Sequence, residues 1–194
     1  MRFKGDMRVE NWLIGLIAVV AILILCVILV FNNLVRKRNI AESAWSNIDV
    51  QLQRRYDLIP NLVESVKAYA KHERETFERI AALRASFQNA TTPKEIETID
   101  QEMNLAVKRL FAIAENYPDL KASQNFLMLQ ESLAGTENRI AYSRNNYNHA
   151  VMSYNTAVQT FPGILVAGPF GFRIKEFFEV EDSGMRDAVE VKLD

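Results

Sequence analysis

The sequence holds two histidines and one cysteine, and their spacing argues against a metal centre. His72-Glu73-Arg74-Glu75-Thr76 begins like a zinc-protease helix, but no second histidine follows four residues on, so one helix face lacks its ligand pair. His149 is remote, and no Glu-X-X-His pair of the di-iron bundle type occurs. Cys26 lies inside an apolar run, so a single chain can build neither a disulfide nor a thiolate site. The aliphatic run before it raises a lipidation reading, which fails because the small residue expected just before such a cysteine is missing. Phosphate loops, dinucleotide fingerprints and a Gly-X-Ser-X-Gly elbow are also absent. These exclusions point to no cofactor, no small-molecule substrate and no catalysis. The enzyme reading left standing would rely on carboxylates inside a helical bundle.

The polar residues that stand out are Arg54, Arg55, Asp57, Asn61, His72 and Glu73, because Arg55 and Glu73 fall where a helical seam calls for apolar side chains. Charges in such slots must be paired or exposed. Paired, they form a buried ion pair with Glu137 or Arg144 of the last helix, fixing register at some cost in stability. Exposed, they form a docking patch for another protein or for anionic headgroups.

The elements that must position these residues are long helices. Trp45, Leu52, Ile59, Val66, Ile80 and Phe87 recur every seventh residue with Glu73 in the missing slot, and Ala41, Ile48, Leu62, Tyr69 and Leu83 stand four before members of that series. At Asp57-Leu58-Ile59-Pro60 two outcomes compete. Asp57 can cap a new helix whose first turn accepts proline, or one helix continues with a kink at Pro60. Thr91-Thr92-Pro93 reads as a cap, followed by Ile96, Ile99, Met103, Val107, Leu110 and Ala114 at helical spacing, and Asn116-Tyr117-Pro118 closes that helix. From Asp119 to about Thr160, Phe126, Leu133, Ile140, Tyr147, Tyr154 and Phe161 are seven apart, with mostly small residues at the second seam position. Large alternating with small permits close helix approach, as in a long bundle.

Ahead of these helices, Trp12 to Phe31 runs without a charge or an amide. Its twenty residues would make a helix of about 30 Å, the thickness of the bilayer hydrocarbon. A cleaved signal would be shorter and would end in an Ala-X-Ala-like site, so the segment reads as a retained transmembrane helix. Arg36-Lys37-Arg38 lies closer to it than the scattered Arg2, Lys4 and Arg8, which favours the cytoplasmic side for the C-terminal domain. Net charge is −1, with 23 Lys and Arg against 24 Asp and Glu, which gives no basic field for nucleic acid.

Phe161 to Phe172 is a second uncharged stretch, too short to span and too rich in Gly and Pro for a helix. Its apolar members Phe161, Ile164, Leu165, Val166, Phe170 and Phe172 need a cover. That cover is the bundle itself, the bilayer surface or a neighbouring subunit.

Several phrases resemble a known family. Asn39, Ala44-Trp45-Ser46-Asn47-Ile48-Asp49-Val50-Gln51-Leu52, Arg54-Arg55-Tyr56-Asp57-Leu58-Ile59-Pro60-Asn61-Leu62-Val63 and Tyr69-Ala70-Lys71-His72-Glu73 look like the LemA family of bacterial membrane proteins. So do Thr136-Glu137-Asn138-Arg139-Ile140-Ala141, Tyr147-Asn148, Tyr154-Asn155 and Phe161-Pro162 near the other end. The likeness extends from about Val35 to Phe178. It implies an N-terminal anchor and a soluble four-helix bundle, favours a break near Asp57, and implies little about activity.

The expected organisation is an all-α chain with a short tail at 1–11, a transmembrane helix at 12–31, and an up-and-down bundle at 32–161. An apolar Gly/Pro segment at 162–178 and an acidic tail at 179–194 complete it. The bundle has four helices, or three with the first kinked at Pro60. The expected role is a membrane-anchored scaffold that self-associates through helix faces and the apolar segment, organising the membrane or its proteins. A regulatory adaptor for a membrane protease or signalling protein is the rival, with Arg54, Arg55, Asp57 and Asn61 as its contact.

Overall fold

A computed structural model describes residues 3–178, with side chains from Trp12 onward. The acidic tail expected at 179–194 and the side chains of the N-terminal tail at 1–11 lie outside the described residues. Within them the chain is all helical and holds no strand. Helix α1 runs Phe3–Lys67, α2 Arg74–Asn89, α3 Pro93–Ala114, the single turn α4 Pro118–Lys121, α5 Gln124–Gln159 and the short α6 Gly163–Ala167.

The apolar span and the first bundle helix are one helix, and Pro60 lies inside it. The break expected near Asp57 does not occur. Tyr56, Ile59, Leu62 and Val66 are all buried on one face across the proline, and Tyr56 stacks on Phe87 of α2 at 4.0 Å between centroids. An interior proline costs about 3 kcal/mol, whereas each buried side chain of this size contributes roughly 1.5–3 kcal/mol. Together they outweigh it, so the stripe carries the helix through. The break falls instead at residues 68–73, a turn without Gly or Pro, where the Tyr69 amide donates to the Val66 carbonyl. Tyr69 therefore leaves the seam and is exposed.

Thr92 caps α3 as its sequence indicates, its hydroxyl accepting from the Glu95 amide while the Glu95 carboxylate accepts from the Thr92 amide, with Pro93 in the first turn. The last long helix starts later than Asp119, because α4 takes up the residues around Pro118 as a separate turn. The four-helix count holds with these boundaries: the second half of α1, then α2, α3 and α5.

The described chain divides into two units, one of residues 3–46 with His149–Lys175, the other of Asn47–Asn148 with Glu176–Phe178. In the first unit, α1 from Trp12 to Leu29 has no covered face; its most apolar window has a mean hydropathy of 3.6 and is 0% buried. Burial begins at Val30 and Phe31, where Leu34, Tyr154, Val158, Val166, Ala167 and Phe172 form a small core. Asn155 of α5 clamps the returning chain there, its amide nitrogen donating to the Lys175 carbonyl at 2.8 Å and its carbonyl accepting from the Lys175 amide at 2.9 Å. In the second unit the core is built by Ile48, Leu52, Ile59, Leu62, Met103, Leu110 and Ile140, none above 0% exposed. Asn148 repeats the clamp on Phe178 at 2.9 Å in both directions.

Candidate functional site

The second unit contains an ion cluster assembled from three helices. Arg55 stands four before Ile59, a slot on the buried face of α1, and is 4% exposed. Its Nη1 donates to Glu137 Oε2 of α5 at 2.6 Å and lies 3.4 Å from Asp100 Oδ1 of α3, while its Nη2 donates to Asn104 one turn along α3. Arg144 of α5 completes the set, Nη2 to Asp100 Oδ2 at 2.7 Å. Two guanidiniums thus face two carboxylates and the cluster is neutral, the arrangement that makes buried charge tolerable.

Electrostatics here are set by dehydration. Asp100 has 0% exposure, and burial pushes its carboxyl above the usual range despite the attraction of Arg55 and Arg144. The neighbouring Tyr56 hydroxyl is pushed up as well, first by burial and then by the Asp100 charge. It is buried without a hydrogen-bond partner, as are the Nε atoms of Arg55 and Arg144.

Beside the cluster a cleft of about 840 Å³ opens between α3 and α5. Its walls carry Asn104, Lys108, Gln130 and Asn145, with apolar Leu105 and Phe111, and the small Ala134 and Ala141 leave it room. Among the described residues no Ser, Thr, Cys or His side chain lines it. No group of three or more His, Cys, Asp and Glu among them is placed to hold a metal ion. Chemically the cleft offers amide donors and acceptors, guanidinium and ammonium groups, and one exposed leucine at 67%. Such groups can hydrogen-bond to and pack against a polypeptide segment.

The residues singled out in the sequence are not brought together as one patch. Arg54, Asp57 and Asn61 share the outer face of α1 at helical spacing and are exposed, with Gln53 Nε2 donating to Asp57 at 2.9 Å. Arg55 must be removed from that patch, because a one-residue step on a helix turns it about 100° into the core. His72 is exposed in the turn after α1, and Glu73 is half-buried at the N-cap of α2 with no side-chain cap bond. Of the apolar segment, Val166 and Phe172 are buried within the first unit, while Phe161, Ile164, Leu165 and Phe170 are exposed. The Gly/Pro-rich stretch, read as unsuited to a helix, forms the short α6 between Pro162 and Gly168.

Asp100 and Asn104 are partners of Arg55 that the apolar pattern hid. The apolar series names Ile99 as a seam residue of α3, yet Asp100 is the one that is buried. The available signal was spacing: Ile96, Asp100, Met103, Val107 and Leu110 alternate by four and three.

The sequence model of the LemA family matches residues 44–193. Protein LemA of Metamycoplasma hominis is 30% identical over 134 residues, 67% of this chain and 60% of that protein. Magnetosome protein MamQ of Magnetospirillum gryphiswaldense is 27% identical over 180 residues, 79% of this chain and 66% of that protein. Magnetosome protein MamQ 2 of Paramagnetospirillum magneticum is 26% identical over 197 residues, covering 88% and 72%. This chain thus spans less than two thirds of the first two relatives.

Proposed function

This chain belongs to the LemA family, and from that premise we propose that it is a non-enzymatic, membrane-anchored scaffold that self-associates and so organises the membrane or the proteins in it. Its N-terminal apolar helix holds it in the bacterial cytoplasmic membrane, and the basic triplet Arg36-Lys37-Arg38 keeps the helical domain on the cytoplasmic side. The observation that carries this reading is the contrast between the two neighbouring features of the second unit. The buried charges are consumed in tying α1, α3 and α5 to one another, while the cleft beside them presents amides and an uncovered leucine. Side chains of that kind hold a helix or an extended segment of another copy. Asn148 already grips the chain's own backbone at Phe178 in this manner.

The test is photo-cross-linking in native membranes, with Cys26→Ser and a benzophenone maleimide on Leu105→Cys in the full chain. Irradiation should give a species of twice the monomer mass. A species that forms equally well from a cysteine at the outward-facing Glu131 would count against the cleft as the contact.

A second reading is favoured by the outer face of α1, where Arg54, Asp57 and Asn61 are exposed within two turns. In it the protein is an adaptor for a specific membrane protease or signalling protein. Arg54→Glu should then abolish capture of that partner while leaving self-association intact.

A further inference from the structure

We propose that the segment Phe161–Phe172, including α6, is a second membrane contact that lies flat in the interfacial layer at the C-terminal end of the transmembrane helix. The proposal rests on reading Trp12–Phe31 as membrane-spanning. Phe31 is the last residue of that span, so groups level with it stand where hydrocarbon gives way to headgroups. The rings of Phe170 and Phe172 meet the Phe31 ring edge-on at 5.1 and 5.5 Å. One turn further on, Leu34 is covered by Val166 and Ala167 of α6. Gly163 permits this approach, because a Cβ there would run into the Ala157 carbonyl and stand against Leu34. The segment is therefore fixed at the depth of residues 31–35.

At that depth it turns apolar side chains outward. Gly163, Val166 and Ala167 face the unit's core, whereas Ile164 is 54% and Leu165 65% exposed. Phe161 and Phe170 flank them at 79% and 57%. Aromatic and aliphatic groups so placed are those that lodge at the acyl boundary. Basic residues border this plate: Arg36 and Arg173 are exposed, and Arg38 lies over the Phe172 ring at 5.5 Å, with the single carboxylate of Glu42 shared between Arg38 at 3.9 Å and Lys175 at 3.4 Å. No acid occurs between Phe161 and Lys175. Guanidiniums on apolar stems beside an apolar plate fit phosphate headgroups over acyl chains. Their positive rim is wrong for packing against an identical rim on a second copy. The occupant is accordingly the lipid surface, and anionic lipid should strengthen the contact.

The experiment uses the full chain with Cys26→Ser in nanodiscs of mixed zwitterionic and anionic phospholipid. Spin labels are placed singly at Leu165→Cys, at Val20→Cys within the span and at Glu131→Cys on α5, and collision with oxygen and with a water-soluble nickel complex is read by power saturation. The label at 165 should favour oxygen over nickel as the label at 20 does, opposite in sign to that at 131. A nickel-accessible label at 165 with a lipid-like label at 20 overturns the proposal while leaving the anchor intact. A label at 165 shielded from both relaxants and dipolar-broadened between copies also overturns it, assigning the plate to self-association. A nickel-accessible label at 20 overturns the anchor reading and the proposal with it.

Discussion

Replacing Arg55 with leucine should destabilise the helical domain by about 3 kcal/mol, the lower end of the 3–5 kcal/mol expected for breaking a buried pair. The magnitude follows from what each partner can do afterwards. Glu137 has 45% of its side chain exposed, so water replaces its lost guanidinium and it contributes little. Asp100 has no such recourse at 0%, but it keeps Arg144 at 2.7 Å, which holds the loss to the lower end. Asn104 also loses its charged donor. The assay is urea unfolding of the full chain in mild detergent, followed by helical circular dichroism. With a slope of ~1–3 kcal/mol per M, the midpoint should fall by on the order of 1–3 M. Adding Asp100→Asn removes the stranded carboxylate, so the double variant should lose less than the sum of the two single changes by about 2 kcal/mol. A loss below about 1 kcal/mol for Arg55→Leu, or additive single changes, would refute the reasoning that the cluster holds the three helices together.

Because burial raises the Asp100 carboxyl above its ordinary value, the folded domain binds a proton there before the unfolded chain does. Its contribution to stability is therefore greatest at and below the ordinary carboxylate range and is lost as pH rises through the folded value. Unfolding midpoints measured at several pH values should show the parent chain gaining on Asp100→Asn as the solution is acidified, and a gap that narrows on acidification would reverse the assignment. Gly163→Ala forces a methyl group into the Ala157 carbonyl, so α6 must lift from Leu34 at a cost of about 1–3 kcal/mol. Hydrogen exchange should then show lost protection at Val166 and Phe172 with the core around Ile140 unchanged, whereas unaltered protection would mean the approach is not tight.

Legibility in the sequence followed how much each feature depends on local pattern. The apolar span, the Thr92 cap and the heptad of α5 are written in consecutive residues, and Phe126 to Tyr154 are buried in the order their spacing gives. Phe161, next in that heptad, is exposed because α5 ends two residues earlier. Proline at 60 misled the placement of the break, since its local cost is visible in sequence while the burial of Tyr56 against Phe87 is not. The true break after Lys67 carries no Gly or Pro to announce it. Arg55 was readable as a misplaced charge and Glu137 as one of its partners, but Asp100 was concealed by the adjacent Ile99. The docking of the apolar segment on α1 depends on contacts between residues more than a hundred positions apart in sequence, such as Phe31 with Phe170, which periodicity cannot convey.

The central claim, a self-associating membrane scaffold, is tested most directly by the light-scattering mass of the full chain in nanodiscs, measured beside Leu105→Glu. Leu105 is on the wall of the cleft and mostly exposed, so the change spares the fold while placing a charge in the proposed contact. A self-associating scaffold gives a defined oligomer for the parent chain and a protomer for the variant. A protomer in both preparations would contradict self-association.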